Sequence, residues 1–128
     1  PFIHQVLIMG WEGQPIPVEG LFDDGAMVSA MSHTKFKELG EGLRKLLPSP
    51  CTLRMANGAE VPSMGRWKGQ FDIGGVKALG EFEVFEGGSA GWEFLVGKPL
   101  LRAFNAVHRY DKDTVEVDDG KTRQLLQN

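Results

Sequence analysis

Cys51 is the single cysteine of this 128-residue chain. No intrachain disulfide can form, which points to a reducing, cytoplasmic setting rather than a disulfide-stapled secreted domain. Beside Pro50, at the start of an extended segment, a lone cysteine defaults to a small packed hydrophobe. Net charge is also scarce: 14 Lys and Arg against 17 Asp and Glu leave -3. That balance lacks the positive field of a dedicated nucleic-acid binder. No apolar run approaches the roughly 18 residues that a membrane helix needs. Pro1-Phe2-Ile3-His4-Gln5 carries no positive n-region, so it does not read as a secretory signal. The chain opens on Pro1 rather than Met, as expected of an excised or processed product. His4, His33 and His108 lie far apart without i,i+4 partners, so no zinc-ligand spacing exists. No Gly-x-Ser-x-Gly elbow occurs. Gly87-Gly88-Ser89-Ala90-Gly91 is not followed by Gly-Lys-Ser/Thr and reads as a loop, not a phosphate cradle. Neither a metal nor a cofactor is implied.

What the chain has in excess is glycine, 17 residues, about 13% where about 7% is usual. Glycine weakens helices and serves turns, so a turn-rich β protein is expected. Length predicts one domain over residues 1–128, and 41% hydrophobic residues suffice for one core. Ile3 to Met9 reads as a strand. Pro15-Ile16-Pro17-Val18 opens a second, whose prolines predict an edge or irregular start. Behind an N-cap at Ser32, the spacing of Phe36, Leu39, Leu43, Leu46 and Leu47 predicts an amphipathic helix. Gly40 and Gly42 weaken it, and Pro48 and Pro50 stop it. Asn57-Gly58 between two short extended runs predicts a hairpin, and Gly74-Gly75 predicts another between Gly65–Ile73 and Val76–Phe85. Phe94-Leu95-Val96 is a short apolar run. A helix is expected over Pro99 to Phe104, then strands near Thr114 to Val117 and Lys121 to Leu126. About seven strands and one or two helices favour an all-β barrel or sandwich over a parallel α/β sheet.

One segment stands out: Val18 to Phe22, then Asp23-Asp24-Gly25-Ala26, then Met27 to Ser32. An ordinary Asp-Gly turn returns into an alternating strand. Here apolar and small residues follow instead. The pattern predicts two acids at the end of a buried strand, inside the core region, where acid/base chemistry is found.

These residues resemble a retropepsin-type aspartic protease. Leu21-Phe22-Asp23-Asp24-Gly25-Ala26 and Ser29-Ala30-Met31-Ser32 match the family's first signature except at Asp24, where Thr or Ser is usual. Phe94-Leu95-Val96-Gly97 followed by Lys98-Pro99-Leu100-Leu101 matches the second. The Asn57-Gly58 hairpin falls where the family places its flap. The Asp-Asp-Gly-Ala variant is most similar to fungal retroelement members. The resemblance implies an all-β retropepsin-like fold, a closed-barrel-like domain with one or two short helices. It implies a homodimeric endopeptidase that processes a peptide or polyprotein. Asp23 from each subunit would act on water, with Asp24, Gly25 and Ala26 in the active-site loop. Met27, Met55, Ala56, Asn57, Gly58, Ala59, Leu95, Val96 and Gly97 would bind substrate. Asp118-Asp119-Gly120 reads as a surface turn rather than a second motif, since Lys121 replaces Ala. One motif per chain implies half an active site. Asp24 would crowd the dyad with charge unless it is protonated or bonded to backbone amides, which predicts activity at acidic pH. A degenerate dimerising or peptide-binding module and an unrelated β-barrel binding protein stay open as alternatives.

Overall fold

The computed structural model describes residues 1–43, 46–54, 57–86 and 92–128. Eleven strands and two helices run in the order β1 Phe2–Met9, β2 Pro15–Phe22, β3 Ala30–Ser32, α1 His33–Leu39, β4 Thr52–Arg54, β5 Glu60–Pro62, β6 Gly65–Ile73, β7 Val76–Phe85, β8 Phe94–Val96, α2 Lys98–Ala103, β9 Val107–Arg109, β10 Thr114–Asp118 and β11 Arg123–Gln127.

Six strands close a barrel in the order β1-β2-β8-β3-β7-β6. β1 pairs with β2 along its whole length, from Phe2 opposite Phe22 to Met9 opposite Pro15. β8 joins β2 in parallel only at Gly20–Phe22. The proline-bearing start of β2 is therefore an edge, where missing amides leave no ladder incomplete. Gly74 and Gly75, at φ 59 and 93, make the two-residue turn between β6 and β7. Both positions need the left-handed region, which glycine adopts at no steric cost.

The barrel is filled by Phe71, Phe82 and Phe94, all nearly or fully buried, with Val6, Ile8, Met31, Val84 and Val96 around them. Trp67 stacks on Phe82 at 5.3 Å between ring centroids, and Phe71 stacks on Phe94 at 6.1 Å. A second sheet, β11-β10-β9, packs Val115, Val117 and Leu126 into the same core. The Asp118 amide donates to the Phe104 carbonyl at 3.0 Å and joins this sheet to the segment after α2. β4 and β5 form their own two-stranded sheet.

The helix predicted behind Ser32 is shorter than its apolar spacing implied. Ser32 caps it, accepting from the Lys35 amide, but α1 ends at Leu39 with Gly40 as its C-cap. Chain reversal at 40–42 brings Gly42 against Ile16, where an added Cβ would sit 2.6 Å from Cδ1. Leu43 is buried and Leu47 bridges to Arg66, both outside the helix. Strands β3 and β9 have no counterpart in the sequence reading. Each is three residues long and exists through its tertiary partners.

Candidate active site

β2 delivers the loop that carries the acids. Its last residue, Phe22, pairs with Val96 of β8, and the next amide, Asp23 N, donates to the Val96 carbonyl at 2.9 Å. The loop then crosses the start of α2. Lys98 N donates to the Ala26 carbonyl at 2.8 Å, and Gly97 N donates to Ser29 Oγ at 2.9 Å. The Ser29 carbonyl accepts from Glu83 N at 2.9 Å, so β7 holds the far end. The two segments singled out in the sequence, 21–32 and 94–101, are thus one unit, joined by backbone hydrogen bonds.

Gly97 is buried at the crossing. A Cβ there would lie 2.2 Å from the Val28 carbonyl oxygen and 3.1 Å from that of Ala26. Only a residue without a side chain lets the loop lie this close. Val96 is fully buried in the barrel core, so its side chain faces inward and its carbonyl is what meets the loop. Leu95, half-buried, pairs with Leu21 and Ala30.

Asp23, Asp24 and Gly25 are exposed in the single chain, and Met27 is 73% exposed beside them. The expectation of acids within the core is corrected here. The strand ends at Phe22, and the loop tips over the barrel rim before it re-enters at buried Ser29 and Ala30. Asp23 Oδ1 accepts from Gly25 N at 2.9 Å, and Ala26 N donates back to the Asp23 carbonyl at 3.1 Å. This tight turn fixes the Asp23 carboxylate relative to its own backbone.

Asp24 has a different partner. Its Oδ2 accepts from the Tyr110 hydroxyl, just past β9. The donor to Asp24 is thus a side chain, where a backbone amide was one of the two expectations. Asp24 and Tyr110 face a groove of about 630 Å³ floored by Phe22, Leu101 and Val115, with Lys98 and Arg102 on its α2 side. Sequence reasoning missed Tyr110, which lies 86 residues from Asp24 and in no motif.

Asn57 and Gly58 are exposed at the tip of the β4–β5 hairpin, as is Ala59. Asn57 Oδ1 accepts from Ala59 N at 3.0 Å, and Gly58 takes φ 87. Met55 and Ala56, also expected to touch substrate, lie outside the described residues, as does the 87–91 loop. Asp118-Asp119-Gly120 is the turn between β10 and β11, with Gly120 at φ 88, as read from the sequence. Backbone amides of Lys77, Thr122 and Lys121 hold the Asp119 carboxyl down at about 2.

No protein-family model matches the chain. Among solved structures, the retroviral protease-like domain of Ddi1 from Leishmania major aligns with 98% of this chain and 95% of its own, at 16% identity and a TM-score of 0.64. A retropepsin-like aspartic protease from Rickettsia conorii aligns with 98% of this chain and 94% of its own, at 18% identity and a TM-score of 0.49. The likeness to the Leishmania domain, with the closed barrel and two short helices, gives the chain a retropepsin-like fold. No helix among the described residues is long and apolar enough to cross a membrane.

Proposed function

We propose that the chain is an aspartic endopeptidase that works as a homodimer, with one Asp23 from each copy. The observation that carries this reading is the placement of Asp23. It sits at an exposed rim of a retropepsin-like barrel, pinned through Val96 and the Gly25 amide. One Asp23 carboxylate per chain supplies only half of an acid/base pair. Two brought together across a two-fold axis share one, because both cannot ionise easily at short range. The ionised member takes a proton from a bound water as general base. The protonated member polarises the scissile carbonyl, and water adds directly without a covalent intermediate. Activity is then expected at acidic pH and lost as the shared proton is titrated away.

The β4–β5 hairpin is the segment that would close over an extended peptide and exclude bulk water. The peptide would lie as an added strand, with alternate side chains read by pockets near Met27 and Leu95. A polyprotein of a retroelement is the substrate class that the Asp-Asp-Gly-Ala motif suggests. Asp24 in place of a hydroxyl favours one second reading, a non-catalytic module that dimerises or binds peptide. Wild type and Asp23→Asn, assayed on a peptide library at acidic pH, separate the two. Cleavage by wild type that Asp23→Asn abolishes supports the enzyme. Equal, negligible cleavage by both, with retained binding of a pepstatin-type inhibitor, supports the module.

A further inference from the structure

Asp24 is the one departure from the motif, and the structure supplies it with a donor. An ionised carboxylate can only accept hydrogen bonds, so it cannot do what a Thr or Ser hydroxyl does at this position. The Tyr110 hydroxyl donates to Asp24 Oδ2, while the neighbouring Asp23 carboxylate is engaged by the Gly25 amide. The two adjacent acids therefore have separate partners on separate elements.

Tyr110 is itself held in place, although it is 67% exposed. Its ring stacks on His108 at 4.1 Å between centroids and 27° between planes. His108 meets Phe2 edge-on at 5.5 Å, and its Nε2 lies 3.5 Å from Asp113 Oδ1. Asp113 Oδ2 accepts from Asn128 Nδ2 at 2.6 Å, and the same Nδ2 donates to the Pro1 carbonyl at 2.7 Å. The phenol is thus the last link of a chain of contacts that begins on β1 and runs through β9 and the turn after it.

We propose that Tyr110 is a positioning residue for the active-site loop: within each copy it holds the Asp24 carboxylate toward the α2–β9 groove and away from the dyad. This rests on the aspartic protease reading above. In a dimer, two Asp23 and two Asp24 side chains share the region of the axis. Drawing each Asp24 toward its own Tyr110 lowers the negative charge that the dyad experiences. Lys98 and Arg102 of α2 and His108 of β9 line the same groove, and Asp23 beside Asp24 and Arg109 and Asp111 on either side of Tyr110 are further charged groups next to the pair in sequence. The hydrogen bond to Asp24, with some burial and the Asp24 charge, raises the Tyr110 phenol above its ordinary value.

Two experiments test this, and the first needs no catalysis. The chain contains one tyrosine, so phenolate absorbance during an alkaline titration reports Tyr110 alone. Wild type is expected to titrate above the ordinary value of about 10, with Asp24→Ala returning to it. Identical midpoints in the two proteins overturn the contact, whatever the protein catalyses. The second compares wild type with Tyr110→Phe, which keeps the ring on His108 and removes the donor. The expected result is a fall in kcat of about tenfold with KM little changed, and a pH profile displaced to higher pH, because unrestrained Asp24 charge makes the dyad hold its proton longer. Asp24→Thr in the Tyr110→Phe background is expected to restore kcat, since Thr brings its own hydroxyl. An unchanged profile in Tyr110→Phe, or no recovery in the double variant, overturns the positioning role.

Discussion

Gly97→Ala puts a methyl group where the active-site loop crosses the start of α2. The added Cβ would stand 2.2 Å from the Val28 carbonyl oxygen and 2.6 Å from its carbon, whereas real Cβ contacts essentially never fall below 3.0 Å. The obstacles are backbone, so no side-chain rotation relieves them. The 26–28 segment must retreat by roughly 1 Å, well up the repulsive wall of the contact. Two hydrogen bonds stretch with it, Lys98 N to Ala26 O at 2.8 Å and Gly97 N to Ser29 Oγ at 2.9 Å. Each contributes about 1 kcal/mol net, and more where a buried partner is stranded. Together with overpacking, a loss of about 2–4 kcal/mol is expected. For a domain of this size that is a fall in Tm of about 8–15 °C, read by calorimetry or circular dichroism. The same displacement moves Asp23, and an error of about 1 Å in a catalytic group costs on the order of 10²-fold in kcat/KM. A Gly97→Ala protein that melts within about 2 °C of wild type would mean that the loop and α2 do not meet this closely at residue 97. That thermal result does not depend on whether the chain is an enzyme.

Further outcomes follow from other parts of the structure. Glu83 is 2% exposed and accepts from Ser49 Oγ at 2.5 Å and Arg66 Nε at 2.6 Å. Glu83→Ala leaves Arg66 with Glu81, whose Oε2 lies 3.0 Å from its Nε, and is expected to cost about 2 kcal/mol in urea unfolding, below the range for a buried charge left with no partner. Burial pushes the Glu83 carboxyl up, but the bonds from Ser49, Arg66 and Ser63 outweigh it and leave it below its ordinary value of 4.5. Its stabilising contribution is therefore present above pH 4.5 and lost as pH falls through the lower folded value; Glu83→Gln should flatten that part of the acid-unfolding curve. Asp119, at about 2 against an ordinary 3.8, contributes stability above pH 3.8 that is lost between there and about 2. Carboxyl NMR should find its midpoint near 2, and a midpoint near 3.8 would mean the three amides do not hold it. Phe71→Ala removes a fully buried ring that touches Trp67, Phe82 and Phe94. Chemical denaturation should show a loss of about 3–5 kcal/mol.

Local signals carried the long elements. β6 and β7 run from Gly65 to Ile73 and from Val76 to Phe85, the limits that alternation and the Gly74-Gly75 turn predict. β3 and β9 were illegible because three residues such as Ala30–Ser32 have no period of their own. β3 is a strand because β7 takes it in parallel and β8 antiparallel. Leu43 and Leu47 fit helical spacing but are buried or paired for other reasons, and glycines at 40 and 42 ended the helix first. At the site, residue order singled out the segments 21–32 and 94–101, because motif residues are local, but the crossing at Gly97 emerged only from the fold. Depth was not legible. Whether Asp23 and Asp24 lie in the core or on the rim depends on where β2 leaves the barrel, which is a property of the closed sheet. Tyr110 was invisible for a related reason: it follows β9, 86 residues from Asp24, and meets that residue through the tertiary fold, not through any spacing along the chain.

Under the proposed function, catalysis requires two Asp23 carboxylates from two copies. Wild type and Asp23→Asn, refolded together in varied proportions at constant total concentration, test this requirement through the rate of peptide cleavage. Two-copy catalysis predicts a rate that falls as the square of the wild-type fraction, since only homodimers of wild type carry a complete dyad. A linear fall would place the whole site in one chain, and a rate indifferent to Asp23→Asn would remove Asp23 from catalysis.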